Sequence, residues 1–180
     1  MKSLFLMLLF CVASIDATAQ RTPCTGVTEV FAFGIHDTTI FVGWGRELRT
    51  DPLVYRSNLS YFYGQHGFYW QGAGAGLDTS LGDIASFASI GMYLYAGSNK
   101  YPTGYRTTDN GAHWTEVIGA PVGTNGTYVF GAYDKKIARS RDSGFHWEHL
   151  SIPWGNLYGS IHGAYVFSAT STDLYRSTDS

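Results

Sequence analysis

Cysteine is scarce in this chain: Cys11 and Cys24 are the two in 180 residues. A small exported fold stapled by disulfides needs several pairs, so such a scaffold is excluded within this sequence. Charge is thin and balanced, with 12 Lys and Arg against 14 Asp and Glu scattered along the chain. No basic stripe exists to neutralise a phosphate backbone, which argues against a nucleic-acid partner. Long apolar runs are missing too. The run from Leu4 to Val12 falls short of the about 20 residues a spanning helix requires, and no membrane span is expected in the mature chain. Helical periodicity is absent beyond the first twenty residues. So are a phosphate-cradling glycine loop, a dinucleotide fingerprint and a Ser-His-Asp motif.

What the N-terminus does contain is the order of a secretory signal peptide. Lys2 precedes the apolar run, and Ala17-Thr18-Ala19 supplies a small-x-small cleavage site before Gln20. Residues 1–19 are therefore expected to be removed, leaving 20–180 as an extracellular, periplasmic or cell-surface domain. Lipidation at Cys11 would need a small residue where bulky Phe10 stands. Cys24 then remains alone, and its partner is expected outside this sequence.

The mature part repeats itself. Gly91-Met92-Tyr93-Leu94-Tyr95-Ala96-Gly97, Gly126-Thr127-Tyr128-Val129-Phe130-Gly131-Ala132 and Gly163-Ala164-Tyr165-Val166-Phe167-Ser168-Ala169 share one pattern at intervals of 35 and 37 residues. A weaker copy is Asp37-Thr38-Thr39-Ile40-Phe41-Val42-Gly43. Each predicts a strand rich in aromatic and β-branched residues, entered through a tight turn. A second signature follows the first: Thr107-Thr108-Asp109-Asn110-Gly111-Ala112-His113-Trp114 and Ser140-Arg141-Asp142-Ser143-Gly144-Phe145-His146-Trp147 both read [Ser/Thr]-x-Asp-x-Gly-x-x-Trp. Ser177-Thr178-Asp179-Ser180 is the first half of a third. An arginine precedes each, at Arg106, Arg139 and Arg176.

This box has a physical logic. A carboxylate with a neighbouring hydroxyl can accept the exposed N–H groups of a hairpin turn. Glycine supplies a positive φ, and the tryptophan opens the returning strand with a large apolar plate. Thr107, Asp109, Gly111, Trp114, Ser140, Asp142, Gly144, Trp147, Ser177 and Asp179 are thus assigned structural roles. Recurrence once per repeat argues against catalysis, which needs different groups from different repeats. A calcium loop would need further alternating oxygen ligands. His146 and His149, three apart, would point to opposite faces of a strand, and His113 and His146 share one box position. No metal or cofactor site is expected. Gly72-Ala73-Gly74-Ala75-Gly76 reads as a flexible connection.

The box resembles the Asp-box, or bacterial neuraminidase repeat, of sialidases, sortilin-type receptors, some glycoside hydrolases and photosystem assembly factors. The resemblance covers roughly Val27 to the end of the chain and implies an all-β propeller of four-stranded antiparallel blades. Blades are expected at about 27–70, 83–117, 121–149 and 154–180, the last incomplete, as in a fragment of a longer propeller. The first is degenerate: Tyr55-Arg56-Ser57 begins its box, but an insertion around Asn58 to Gln65 replaces the aspartate.

Two functions follow as expectations. One is an exported, non-catalytic module that binds or scaffolds a protein or glycan partner through loops. The alternative is a sialidase-like or other glycoside hydrolase whose catalytic residues lie largely outside this segment. A carboxylate pair, or a tyrosine-glutamate nucleophile with an arginine cluster, would be needed. Here Arg56, Arg106, Arg139 and Arg176 share one repeat position, Arg46, Arg49 and Arg141 make no triad, and Arg21-Thr22-Pro23 only superficially matches the Arg-Ile-Pro with which sialidases begin. Candidate ligand contacts fall on the loops opposite the boxes: Trp44, Arg46, Glu47, Arg49 and Asp51, then Lys100 and Tyr101, then Tyr133, Asp134 and Lys135, and Trp154.

Overall fold

The computed structural model describes residues 30–44, 53–59, 69–78, 80, 82–100, 103–134, 136–151, 161–162, 165–169 and 172–177. Residues 1–19, Cys24, Arg46, Glu47, Arg49, Asp51, Tyr101, Lys135, Trp154 and Asp179 lie outside the described residues.

Fifteen strands account for nearly all the described regular structure. Blade 1 holds β1 (Val30–His36), β2 (Thr39–Trp44), β3 (Val54–Asn58) and β4 (Gln71–Gly72). Blade 2 holds β5 (Ile84–Ile90), β6 (Tyr93–Ser98), β7 (Thr103–Thr107) and β8 (Thr115–Ile118). Blade 3 holds β9 (Ala120–Thr124), β10 (Val129–Tyr133), β11 (Lys136–Ser140) and β12 (Glu148–His149). Blade 4 contributes β13 (Ile161–His162), β14 (Tyr165–Ala169) and β15 (Leu174–Ser177). Each sheet is an antiparallel meander in sequence order. The strand expected from each repeat is the second of its blade.

The turns into those strands explain their opening residues. His36 pairs with Thr39 and Ile90 with Tyr93, leaving two residues to reverse the chain. Two-residue hairpins need a left-handed first residue. Gly91 sits there at φ 54° with no atom within 4 Å of where a Cβ would stand, so conformation alone selects it, and Asp37 fills the same place at φ 52°.

Blades stack face to face through their first strands, β5 lying between β1 and β9. Close approach is built in: a Cβ on Gly34 would come 2.5 Å from the Phe87 Cβ. The core consequently lies between blades. Phe41, Val54, Leu94, Tyr105 and Trp114 fill the first seam, Tyr95 and Val129 the second, and Phe130, Ile137 and Val166 the third. A blade lacking its neighbour would expose these side chains, at about 1.5–3 kcal/mol each.

Two sequence expectations need correcting. The fourth strand of blade 1 is Gln71–Gly72, just past the expected end at Trp70. The glycine-alanine stretch after it is not a loose connector but the seat of Trp114. The indole Nε1 donates to the Ala73 carbonyl at 2.7 Å, and the Trp114 backbone N–H donates to the Ala75 carbonyl at 2.9 Å. A side chain on Gly76 would come 2.2 Å from the Trp114 carbonyl oxygen, so small residues there permit the contact.

Candidate functional site

In a meander the first and third turns of every blade lie at one end and the second turn and inter-blade connection at the other. The box end is built from β7, β8, β11 and β12. Thr107 Oγ1 donates to Asp109 Oδ1 at 2.7 Å and accepts from the Gly111 N–H at 3.0 Å. Asp109 Oδ1 also accepts the His113 N–H at 2.9 Å, and Oδ2 meets His113 Nδ1 at 2.8 Å. The second box repeats this set. Ser140 Oγ bonds Asp142 Oδ1 at 2.9 Å and accepts the Gly144 N–H at 2.8 Å; the His146 N–H reaches Asp142 Oδ1 at 2.8 Å and its ring bonds Oδ2.

These donors set the charge state of both carboxylates. The His113 N–H and the Thr107 hydroxyl hold Asp109 well below the usual carboxylate range, against the opposing effect of burial. The His146 N–H and ring hold Asp142 down to about 2 in the same way. His146 lies in the turn rather than on a strand with His149, whose ring instead stacks on Tyr133 at 5.5 Å.

Two of the repeat arginines join one blade to the next, while Arg139 donates from Nε to Glu148 of its own blade at 3.0 Å. Arg106 Nη1 donates to the Ser143 carbonyl of the following box at 2.8 Å, and Arg56 donates to the Asn110 carbonyl in the same manner. Both acceptors are the residue before the box glycine, and both are left-handed without being glycine, at φ 57° for Asn110 and 62° for Ser143. That conformation turns their carbonyls toward the preceding blade. The Arg106 guanidinium also lies between the rings of Tyr93 at 5.4 Å and Phe145 at 4.4 Å, the latter from the next blade. Asn110 Nδ2 adds a bond to Thr39 Oγ1 at 2.8 Å across the first seam.

A cleft of about 230 Å³ opens at the same end between blades 2 and 3, lined by Ile90, Met92, Tyr93, Val129, Arg141 and Ser143 among others. Sequence reasoning missed it, since its walls come from residues 90–93, 127–129 and 140–143, which belong to different blades. A signal was there. Met92 stands where the repeat otherwise has Thr127 and Ala164, and its side chain is 63% exposed.

At the opposite end the structure locates few of the candidates. Trp44 closes β2, Lys100 donates from Nζ to the Ser80 carbonyl at 2.7 Å, and Asp134 occupies a left-handed turn position. Tyr133 is not a free platform: its ring stacks with Trp147 at 6.3 Å and with His149, both interplanar angles near parallel. Among the described residues, no three His, Cys, Asp or Glu side chains gather as a metal site would require, and no helix is long and apolar enough to cross a membrane.

No family model matches the chain, and no curated protein sequence matches it. Solved structures do resemble it. A GH74 xyloglucanase from Xanthomonas campestris superposes over 86% of this chain at a TM-score of 0.59 and 16% identity. The chain is a β-propeller array. A second neighbour, YCF48 bound to D1 peptide, covers 82% of it at a TM-score of 0.50 and 15% identity, and YCF48 from Cyanidioschyzon merolae covers 82% at 0.49 and 12%. At these identities the likeness shows the fold alone. This propeller chain spans 29% of the xyloglucanase and 54% of the peptide-bound YCF48 chain.

Proposed function

We propose that this chain is an exported, non-catalytic propeller module of the Asp-box kind that binds a protein or glycan partner. One observation carries the reading. Both described box carboxylates have their oxygens occupied by their own hairpins and are held ionised, so neither can serve as a general acid near neutral pH. The repeat arginines Arg56 and Arg106 are likewise committed to neighbouring blades rather than to a substrate carboxylate. Box residues therefore act as hairpin and seam elements, and recognition falls to the loops: those opposite the boxes, with Trp44, Arg46, Glu47, Arg49, Tyr101 and Trp154, and the cleft beside Met92. An extended peptide suits such a surface, as does a sugar stacking on aromatic rings.

The test uses residues 20–180. Calorimetric titration against xyloglucan oligosaccharides, sialosides and a panel of extended peptides is expected to yield saturable binding for one class, with no turnover of fluorogenic glycosides. Turnover abolished by a single substitution would overturn the proposal in favour of a glycoside hydrolase.

A further inference from the structure

The outer flank of blade 4 repeats, in its arginine and the aromatic residue across from it, the surface by which blades 1 and 2 hold their successors, whereas in blade 3 the same arginine, Arg139, pairs with Glu148 of its own blade. Arg56 pairs with Phe41, Arg106 with Tyr95, Arg139 with Phe130 and Arg176 with Phe167, so four arginines occupy one register position. Cross-strand partners share a face, and this face looks toward the next blade: Arg56 and Arg106 reach forward to the Asn110 and Ser143 carbonyls. Arg176 already holds the same pose, 5.3 Å over Tyr165 as Arg106 lies 5.4 Å over Tyr93. Yet it is exposed, and among the described residues no acceptor meets its guanidinium. The apolar part of the flank tells the same story. Leu174 pairs with Ala169 as Ile137 pairs with Ala132, but Ile137 is 2% exposed under blade 4 whereas Leu174 is 72% exposed.

We propose that this flank, formed by Tyr165, Phe167, Leu174 and Arg176, docks a further box-bearing blade linked in series, whose left-handed residue before the box glycine accepts a hydrogen bond from Arg176. Continuity with the first and second seams fixes the chemistry of the occupant. The acceptor must come from a box turn, since Asn110 and Ser143 both supply it from one. A second copy docking through its first blade would not bring that turn, because Leu59 stands where the box has aspartate. The arginine provides direction as well as contact, as a planar donor selects a carbonyl held at one angle.

The chain is compared with one lengthened after Ser180 by a copy of residues 144–180 followed by a copy of 144–150, which completes the fourth box and adds one box-bearing blade. Arg176→Met is expected to leave the urea midpoint of the original chain unchanged and to lower that of the lengthened chain by about 0.5 M. With residues 20–180 in a Cys24→Ser background, Leu174→Cys is expected to react with a maleimide at least about tenfold more slowly in the lengthened chain, as burial restricts access. Equal labelling in both chains overturns the proposal, whether the added blade is unfolded or lodged elsewhere. An Arg176→Met effect of equal size in both also overturns it. Light scattering that finds the original chain dimeric, and monomeric as Leu174→Glu, would make the flank a contact between copies and defeat the assignment.

Discussion

Blade 1 and its two successors leave their third strand through the same hydroxyl but treat it differently. Ser57, Thr107 and Ser140 all face back toward the preceding side of their blade and are 3%, 2% and 1% exposed. Thr107 and Ser140 each bond a carboxylate and a glycine N–H. Ser57 Oγ has no partner among the described residues, and Leu59 stands two residues on where the others have aspartate. There the backbone takes over, the Leu59 N–H donating to the Thr38 carbonyl at 2.7 Å. Strand register therefore fixes where the hydroxyl goes. Only the aspartate and glycine of a box turn it into a cap, and a buried hydroxyl without one is a cost.

The largest expected effect tests whether the box anchors a seam or merely a hairpin. Trp114→Ala removes a buried ring that lies edge-on to Phe41 across the first seam and hydrogen-bonds Ala73, and is expected to cost about 3–5 kcal/mol by urea denaturation. A loss under about 1 kcal/mol would mean the seam closes without it. Next comes the cap. Asp109→Ala and Asp142→Ala each strand a hydroxyl and turn N–H groups and should cost about 1–3 kcal/mol. If both leave the midpoint unchanged, the boxes are no better held than the turn of blade 1. A smaller contrast is the sharpest: Ser140→Ala should cost about 1 kcal/mol, while Ser57→Ala, which deletes an unpartnered buried hydroxyl, should fall within about 0.5 kcal/mol of zero or stabilise. Equal costs would show that Ser57 has an acceptor after all.

The blades were legible because their signals are local. The strand after each glycine turn, the box spacing and the degenerate first box can all be read from residues within one repeat. What escaped is what forms between repeats. The arginines at 56 and 106 showed only a shared repeat position in the sequence, because their acceptors are backbone carbonyls, which no side-chain pattern announces. The left-handed Asn110 and Ser143 escaped for a related reason: glycine follows each, and it was assigned the positive φ alone. Gly72 to Gly76 read as flexible because small residues also mark the floor of a packing contact, here under Trp114. The cleft beside Met92 needs two blades to exist. Of the candidates on the far loops, Tyr133 looked available because its stacking partners come from a strand two turns away.

The smallest effect concerns pH, and it separates the boxes from the first turn once more. Asp142 titrates near 3.8 when unperturbed and near 2 in the fold, and Asp109 is lowered as well. A group whose folded pKa is depressed binds its proton more tightly when unfolded, so it stabilises the fold above about pH 4 and loses that contribution as pH falls toward 2. Both carboxylates are more than two-fifths exposed, so solvent screens much of the interaction and the effect on the whole domain is small. The expected result is a decline in the urea midpoint from pH 4 to pH 2 that flattens progressively in Asp142→Asn and in Asp109→Asn with Asp142→Asn. Leu59→Asn, which adds no charge to the boxless turn, should leave the slope as it is. An acid limb of equal steepness in the double variant and the parent would mean that carboxylates outside the boxes carry it, and that the depressed values report hairpin geometry without consequence for the stability of the fold.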